Sequence, residues 1–218
     1  MPTEGVVYIA YGDKALSELT YCVNSLSASN PQLAVAVATD DYHKIPLLYP
    51  GVYRIAMLMD RSLSNAQKAR CSKANLYWVS PFDYTLYMDV DTRVYGDLAP
   101  IFGILRDGGE LVITPADGQH GDNWLWHVSQ PEREATAEQL GFYAQILQGG
   151  VIGFRKTPAV KAFFRAWQAC WLEYKGEDQA ALVRALHTAP VRMWLLGKPY
   201  ANGAVIRHLF GRTREETK

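Results

Sequence analysis

Cysteine, net charge and long apolar runs are all in short supply in this chain, and each shortage removes a class of function. Three cysteines, Cys22, Cys71 and Cys170, stand far apart in 218 residues, with no Cys-x-x-Cys. So sparse and odd a set builds neither a disulfide framework nor a zinc ribbon; it fits reduced thiols in a cytoplasmic protein. Twenty-two basic residues meet twenty-two acidic ones, so no net field draws the chain to nucleic acid or to an anionic membrane. No segment approaches the roughly 20 apolar residues that cross a bilayer. The opening Met1-Pro-Thr-Glu-Gly5 lacks the basic and apolar regions of a secretory signal. These features predict a cytoplasmic chain without a membrane span. His43, His120, His127 and His187 show no ligand spacing to one another, which leaves a zinc cluster unsupported. Repeats, low-complexity tracts and linkers are also missing, so residues 1–218 read as a single domain.

What is present is an ordinary globular balance: 49% hydrophobic and 20% charged residues, enough for a sizeable core. Val6–Tyr11 and Leu33–Thr39 are continuous apolar runs, the pattern of strands covered on both faces in a parallel sheet. Val52–Met57 and Glu110–Thr114 read as further strands. Leu16, Leu19, Cys22, Val23 and Leu26 keep helical spacing, and Ala66–Val79 reads as one helix closed by Pro81. A short helix is expected over 97–105 with Asp97 as its N-cap. Pro158 opens a strong helix to Tyr174, with Val160, Phe163, Phe164, Trp167 and Trp171 on one face. A helix from Asp178 to Leu186 and strands at Gln148–Phe154, Val191–Leu196 and Ala204–His208 complete the second half. Residues 119–147 are polar and irregular, with one helix near 133–144. Alternating strands and helices predict an α/β fold, a mixed and mostly parallel sheet flanked by helices.

The stretch Tyr84–Tyr95 is apolar, β-prone, and carries two carboxylates one residue apart, Asp89 and Asp91. Residues two apart on a strand point the same way, so the pair can share one hard cation such as Mg²⁺ or Mn²⁺. The same pair could equally close a strand as solvated turn residues. Tyr11, Asp40, Asp89 and Asp117 all fall at predicted strand ends, where ligands bind in open α/β sheets. His208 ends a predicted strand, and a neutral imidazole beside two carboxylates would favour Mn²⁺.

Four segments, in order, resemble the glycogenin-like, family 8 type of nucleotide-sugar glycosyltransferase with the single-domain GT-A fold. They are Val7–Gly12; Lys73–Leu98, a lysine helix running into the Asp-x-Asp strand; Gln148–Phe154 with Glu177–Leu182; and Val205–Thr213, a terminal His-x-x-Gly segment. The resemblance implies a metal-dependent transferase that moves a sugar from a nucleoside-diphosphate donor, UDP-sugar above all, to a glycan or protein-linked glycan acceptor, with retention of anomeric configuration. It places a nucleotide-binding half at about 1–98 and a sugar and acceptor half at about 99–218, and assigns Mn²⁺ (or Mg²⁺) to Asp89, Asp91 and His208. The donor's base and ribose fall to Ile9, Ala10 and Tyr11, mostly through backbone; Tyr11 is equally a core tyrosine. Asp40 becomes a base contact or a turn residue. Val90 joins the donor pocket, and Lys73 reaches phosphate or donor sugar unless it is a solvated helix lysine. Gly211 with Arg212 or Arg214 would bind the diphosphate, unless those arginines belong to a charged tail. Asp117, Gly150, Asp178 and Gln179 match the sugar and acceptor positions. Asp178, otherwise a helix N-cap, is the one candidate nucleophile for double displacement; a front-face route needs none and is preferred.

The chain departs from that pattern in two places. Gln148-Gly149 stands where the family has Asn-Ser, and Arg214-Glu-Glu216 where it has Lys-Pro-Trp; residues 119–147, rich in Trp and His, match no family motif and are expected to shape acceptor specificity. Three other functions fit the chain less well. A haloacid-dehalogenase-type phosphohydrolase wants Thr or Val where Arg93 stands. A sugar nucleotidyltransferase wants a longer glycine-rich loop than Gly12–Ala15. A non-catalytic nucleotide-sugar-binding module of the same fold would not need to keep both carboxylates and His208.

Overall fold

Buried on both faces, the apolar runs at the N-terminus become neighbouring strands of one sheet. The computed structural model describes residues 3–41, 43, 45, 52–119 and 121–211. Its elements are β1 (Glu4–Ile9), α1 (Gly12–Ser29), β2 (Ala34–Thr39), β3 (Tyr53–Ala56), α2 (Asn65–Ala74), α3 (Leu76–Val79), β4 (Tyr84–Met88), β5 (Thr92–Val94), α4 (Ala99–Arg106) and β6 (Leu111–Pro115). After a 3₁₀ turn at Gly121–Asn123 come α5 (Gln130–Leu140), β7 (Leu147–Arg155), α6 (Pro158–Tyr174), α7 (Asp178–Thr188), β8 (Met193–Leu195), α8 (Pro199–Asn202) and β9 (Ile206–His208).

Seven strands form one sheet in the order β3-β2-β1-β4-β7-β6-β8. β7 runs antiparallel to β4 and β6, and the other pairings are parallel. This is the mixed, mostly parallel sheet that the pattern predicts, and strands of both halves of the chain contribute to it. One face buries Val7, Ile9 and Tyr87 under α6, whose Phe163, Phe164, Trp167 and Trp171 are inaccessible or nearly so. The other buries Val6, Tyr8, Ala10 and Leu86 under α1 and α4. Each large side chain withdrawn from water there contributes roughly 1.5–3 kcal/mol.

Several boundaries differ from expectation for local reasons. The helix expected over 66–79 breaks at Asn75, whose side-chain amide donates to Cys71 O at 2.8 Å and whose backbone leaves helical geometry at φ −109°, ψ 12°. Side-chain amides compete in this way for helix carbonyls. At the start of α2, Ser64 and Gln67 form a reciprocal capping box. Asp97 is not an N-cap; it sits two residues before α4 and accepts from Ala99 N at 2.9 Å. The β-prone run 84–95 divides at its two carboxylates, into β4 before them and β5 after them. Thr92 N and its hydroxyl both bond to Asp89 O, at 3.1 and 2.7 Å, turning the chain through 89–91. β5 then pairs antiparallel with β9 in a separate two-stranded sheet.

The irregular segment after β6 has a core of its own. Trp124, Leu125, Val128, Leu140 and Ile146 pack with Ala180 and Val183 of α7, and Gly141 closes α5 in the left-handed region at φ 70°. Arg184 of α7, 1% exposed, bonds to Thr136 Oγ1 at 2.6 Å, Glu132 Oε1 at 3.1 Å and Cys170 O at 3.0 Å. Burial raises the Glu132 carboxyl and Arg184 offsets that only in part. Removing one member of such a buried pair strands the other charge. Arg184→Met is therefore expected to cost about 3–5 kcal/mol in urea unfolding, and Arg184→Met with Glu132→Leu to recover most of it.

Candidate functional site

β7 apart, the strands of the main sheet share one direction, so the carboxyl ends of β1, β4 and β6 meet the amino end of β7 along one edge. There a cleft of about 1060 Å³ opens, bordered by the segments that follow β1, β4 and β6 and by Gln148–Gly150. Ligands of open α/β sheets bind at this kind of edge.

At the end of β4 sit Asp89 and Asp91. His208 reaches them from the end of β9, because the β5–β9 ladder sets Thr92 opposite His208 and Leu209 N bonds to Asp91 O at 2.9 Å. The imidazole Nε2 lies 3.1 Å from Asp91 Oδ1 and 3.7 Å from Asp89 Oδ2. One donor atom from each of the three residues falls within 4.8 Å of the others, close enough for the three to converge on one divalent ion with a small adjustment of the side chains. Two carboxylates and an imidazole suit Mn²⁺ and its neighbours better than Mg²⁺, which prefers oxygen alone. The residues fit the group. Gly150 makes the assembly possible: a Cβ there would lie 2.3 Å from His208 Cε1 and 2.9 Å from Asp89 Oδ2. Tyr87, two residues before Asp89 on the same strand face, donates its hydroxyl to Asp89 Oδ1.

Beside the triad lies a buried ion pair. Lys73 Nζ stands 2.8 Å from Asp178 Oδ2 and 3.3 Å from Asp89 Oδ1. Burial pulls the ammonium's pKa down, but Asp178 and Asp89 outweigh it and hold Lys73 above its ordinary value. Burial likewise raises Asp178, and Lys73 outweighs it to keep that carboxyl below its usual range. Both groups stay charged at neutral pH. The N-cap of α7 is Glu177, not Asp178, which opens the helix itself. An amide chain follows: Gln179 Nε2 donates to Leu147 O at 3.1 Å and to Gln148 Oε1 at 2.9 Å, and Gln179 Oε1 accepts from Gln119 at 3.2 Å. Gln148 Nε2 lies 3.4 Å from His208 Nδ1.

The remaining expected residues divide. Ile9, Tyr11, Val90, Asp117 and Gly211 line the cleft. Tyr11 is 4% exposed and bonds Ser72 Oγ at 2.7 Å, so its ring belongs largely to the core; burial pushes its phenol up to about 12. Gly211 N donates to Asp91 and its carbonyl accepts from Lys14 Nζ at 3.1 Å. Ala10 turns to the opposite face of the sheet, into the α1–α4 core, as strand alternation requires. Asp40 is exposed, pairs with Lys68 at 2.7 Å, and is not among the residues bordering the cleft. Arg212 and Arg214 lie outside the described residues. Gln119, Trp126 and His127, from the Trp- and His-rich segment 119–147, also border the cleft; no local spacing in the sequence distinguishes them from the rest of that segment. Tyr87 was legible from its two-residue spacing to Asp89.

No protein-family model matches the sequence, and no curated protein matches it. Solved structures do. The apo structure of WbbM, a bifunctional glycosyltransferase, aligns with a TM-score of 0.69 at 13% identity, over 97% of this chain and 46% of WbbM. The galactosyltransferase LgtC, solved in complex with donor and acceptor sugar analogs, aligns with a TM-score of 0.62 at 15% identity, over 98% of this chain and 91% of LgtC. The chain therefore spans less than half of the first and most of the second. At such identities the likeness is one of fold: this is the GT-A glycosyltransferase fold. Among the described residues no helix is long and apolar enough to cross a membrane.

Two outcomes follow from the triad. Burial lowers the His208 pKa, but the bond to Asp91 and the charge of Asp89 outweigh it and raise it above 6.5. Metal-free protein then gains stability from His208 below pH ~6.5 and loses it as pH rises through the higher folded value. A metal ligand must be neutral, so apparent Mn²⁺ affinity by calorimetry should climb with pH above ~6.5 and level off once the ring has lost its proton. Gly150→Ala should displace His208 and abolish measurable Mn²⁺ binding while circular dichroism stays that of the wild type.

Proposed function

We propose that this chain is a metal-dependent nucleotide-sugar glycosyltransferase, using a UDP-sugar as donor and a glycan or protein-linked glycan hydroxyl as acceptor, with retention at the anomeric carbon. The observation that carries this is the convergence of Asp89, Asp91 and His208 within 4.8 Å at the sheet edge where the GT-A fold opens its cleft. LgtC, which shares the fold, was solved with donor and acceptor sugar analogs, and the four family 8-like segments supply the finer family.

Asp89, Asp91 and His208 would hold the ion, which when bound neutralises the charge that builds on a departing diphosphate. Lys73 adds a fixed cation at the same place, since its two carboxylate partners keep it protonated. Ile9, Tyr11 and Val90 would border the base and ribose; Gly211 would offer backbone to the diphosphate, joined by Arg212 or Arg214. Asp117, Gly150, Asp178 and Gln179 would border the transferred sugar. The ion pair bears on the route. A double displacement needs a carboxylate free to attack, whereas Asp178 is engaged by Lys73 at 2.8 Å and its pKa is lowered. A carboxylate so stabilised is a poor nucleophile. Attack on the donor's leaving face, with the departing diphosphate taking the acceptor proton, asks nothing of it. Asp178 then serves to hold Lys73 and bind sugar hydroxyls.

The test is a panel of nucleoside-diphosphate sugars with and without Mn²⁺, followed by nucleotide release and thermal stabilisation. Metal-dependent release with at least one donor is expected, and Asp91→Ala should reduce it by at least about a thousandfold. Stabilisation without release under any acceptor would mark a binding module; neither signal with any donor would sink the proposal. An inverted product by NMR would overturn retention.

A further inference from the structure

Between β6 and β7, Trp124 and Leu125 point inward and Trp126 points out. Trp124 is 4% exposed and donates its indole N–H to Ala144 O at 2.9 Å; Leu125 is fully buried. Trp126 is 67% exposed and lines the cleft. The reversal occurs at Leu125, which holds the left-handed conformation at φ 50°. A bulky residue adopts that region only where its surroundings over-determine it, and such strain collects at ligand-binding positions. Single exposed aromatics are common and call for no explanation. One turned into a cleft by a strained, anchored residue is a different case.

The anchor ties Trp126 to the proposed reaction centre. Leu125 packs in one cluster with Ala180 and Val183 of α7, the helix whose first residues are Asp178 and Gln179. Gln119, from the same segment, donates to Gln179 Oε1 at 3.2 Å. Two separate contacts thus fix the segment against the start of α7. The segment leaves β6, three strands from β1 in the sheet, or roughly 14 Å from the end that bears Ile9 and Tyr11.

We propose that Trp126 is the stacking platform for the acceptor, and that the ring it receives is a pyranose; this rests on the glycosyltransferase reading above. A pyranose presents a face of electropositive C–H groups, which lies favourably on the negative face of an indole. It also carries a rim of hydroxyls that both donate and accept. The cleft that Trp126 lines is also bordered by a carboxylate (Asp117), two amides (Gln119 and Gln179) and the imidazole of His127, whose ring lies 5.5 Å from the indole; these are the kinds of partner such a rim needs. An alkyl chain would instead want a continuous aliphatic wall.

The test is saturation-transfer NMR with methyl β-galactoside, methyl β-glucoside, lactose, maltose and octyl β-glucoside. Each is added to protein with and without Mn²⁺ and UDP, whose own binding is followed by thermal shift. At least one pyranoside is expected to receive saturation at ring protons. Trp126→Ala should weaken its Kd by about tenfold or more, and Trp126→Phe should stay within about threefold of wild type. Trp126→Gln repeats the loss should the alanine variant fold poorly. Equal binding by Trp126→Ala or Trp126→Gln would refute the platform, as would no pyranoside binding or saturation confined to the octyl chain. Absence of a Mn²⁺-dependent shift in the wild type with UDP and with every other nucleoside diphosphate of the panel would instead refute the enzyme reading, so the two failures are distinguishable.

Discussion

The proposed metal site depends on a ladder of three residue pairs. Thr92, Arg93 and Val94 face His208, Arg207 and Ile206, and through them a histidine 117 residues downstream of Asp91 comes within 3.1 Å of it. A slip of one residue in that pairing would turn His208 to the other face, because side chains alternate along a strand. The surrounding packing holds the register: Val94 and Ile206 are buried together in the α1–α4 core, and Arg93 is buried against Glu18 of α1. The turn at 89–91 matters as much. It stops β4 at the edge of the main sheet and starts β5 in the second one, so that two sheets meet where the carboxylates sit.

Charge in the cleft is arranged in compensated groups. Lys73 would be costly to bury alone, and so would Asp178; side by side, with Asp89 near, each holds the other ionised. Arg70 and Glu177 repeat the arrangement between the same two helices. These pairs join α2, which precedes the metal strand, to the start of α7, and the two helices share the core on one face of the sheet. Close approach there depends on the absence of side chains at Gly149 and Gly150, where a Cβ would meet Asp178 and His208. The Asn-Ser to Gln-Gly departure thereby acquires a physical meaning. Gly149 leaves room beside the ion pair, and Gln148 links His208 to the amide chain that ends at Gln119.

The segment after β6, opaque in sequence, forms a small core on α7 instead of a loose loop. Its buried Arg184–Glu132 pair and its apolar residues fasten it to the helix that carries Asp178 and Gln179. A segment so fastened can present an aromatic side chain at a defined place, which a mobile loop could not.

Taken by itself, the sequence determined whatever local spacing controls. The strands of both halves, the helix from Pro158 to Tyr174 and the strand-end position of Asp89 and Asp91 all follow from periodicity, capping and turn chemistry. Even the turning of Ala10 away from Ile9 and Tyr11 was implicit in strand alternation. Tertiary structure alone decided which distant groups meet. Asp40 looked free for a ligand until Lys68 took it, Asp178 looked like a cap until Lys73 reached it, and nothing near Trp126 in the chain foretold a strained Leu125 behind it. Such contacts depend on strand register and on how helices settle over the sheet, and these emerge from the packing of the whole chain, not from any one stretch of it.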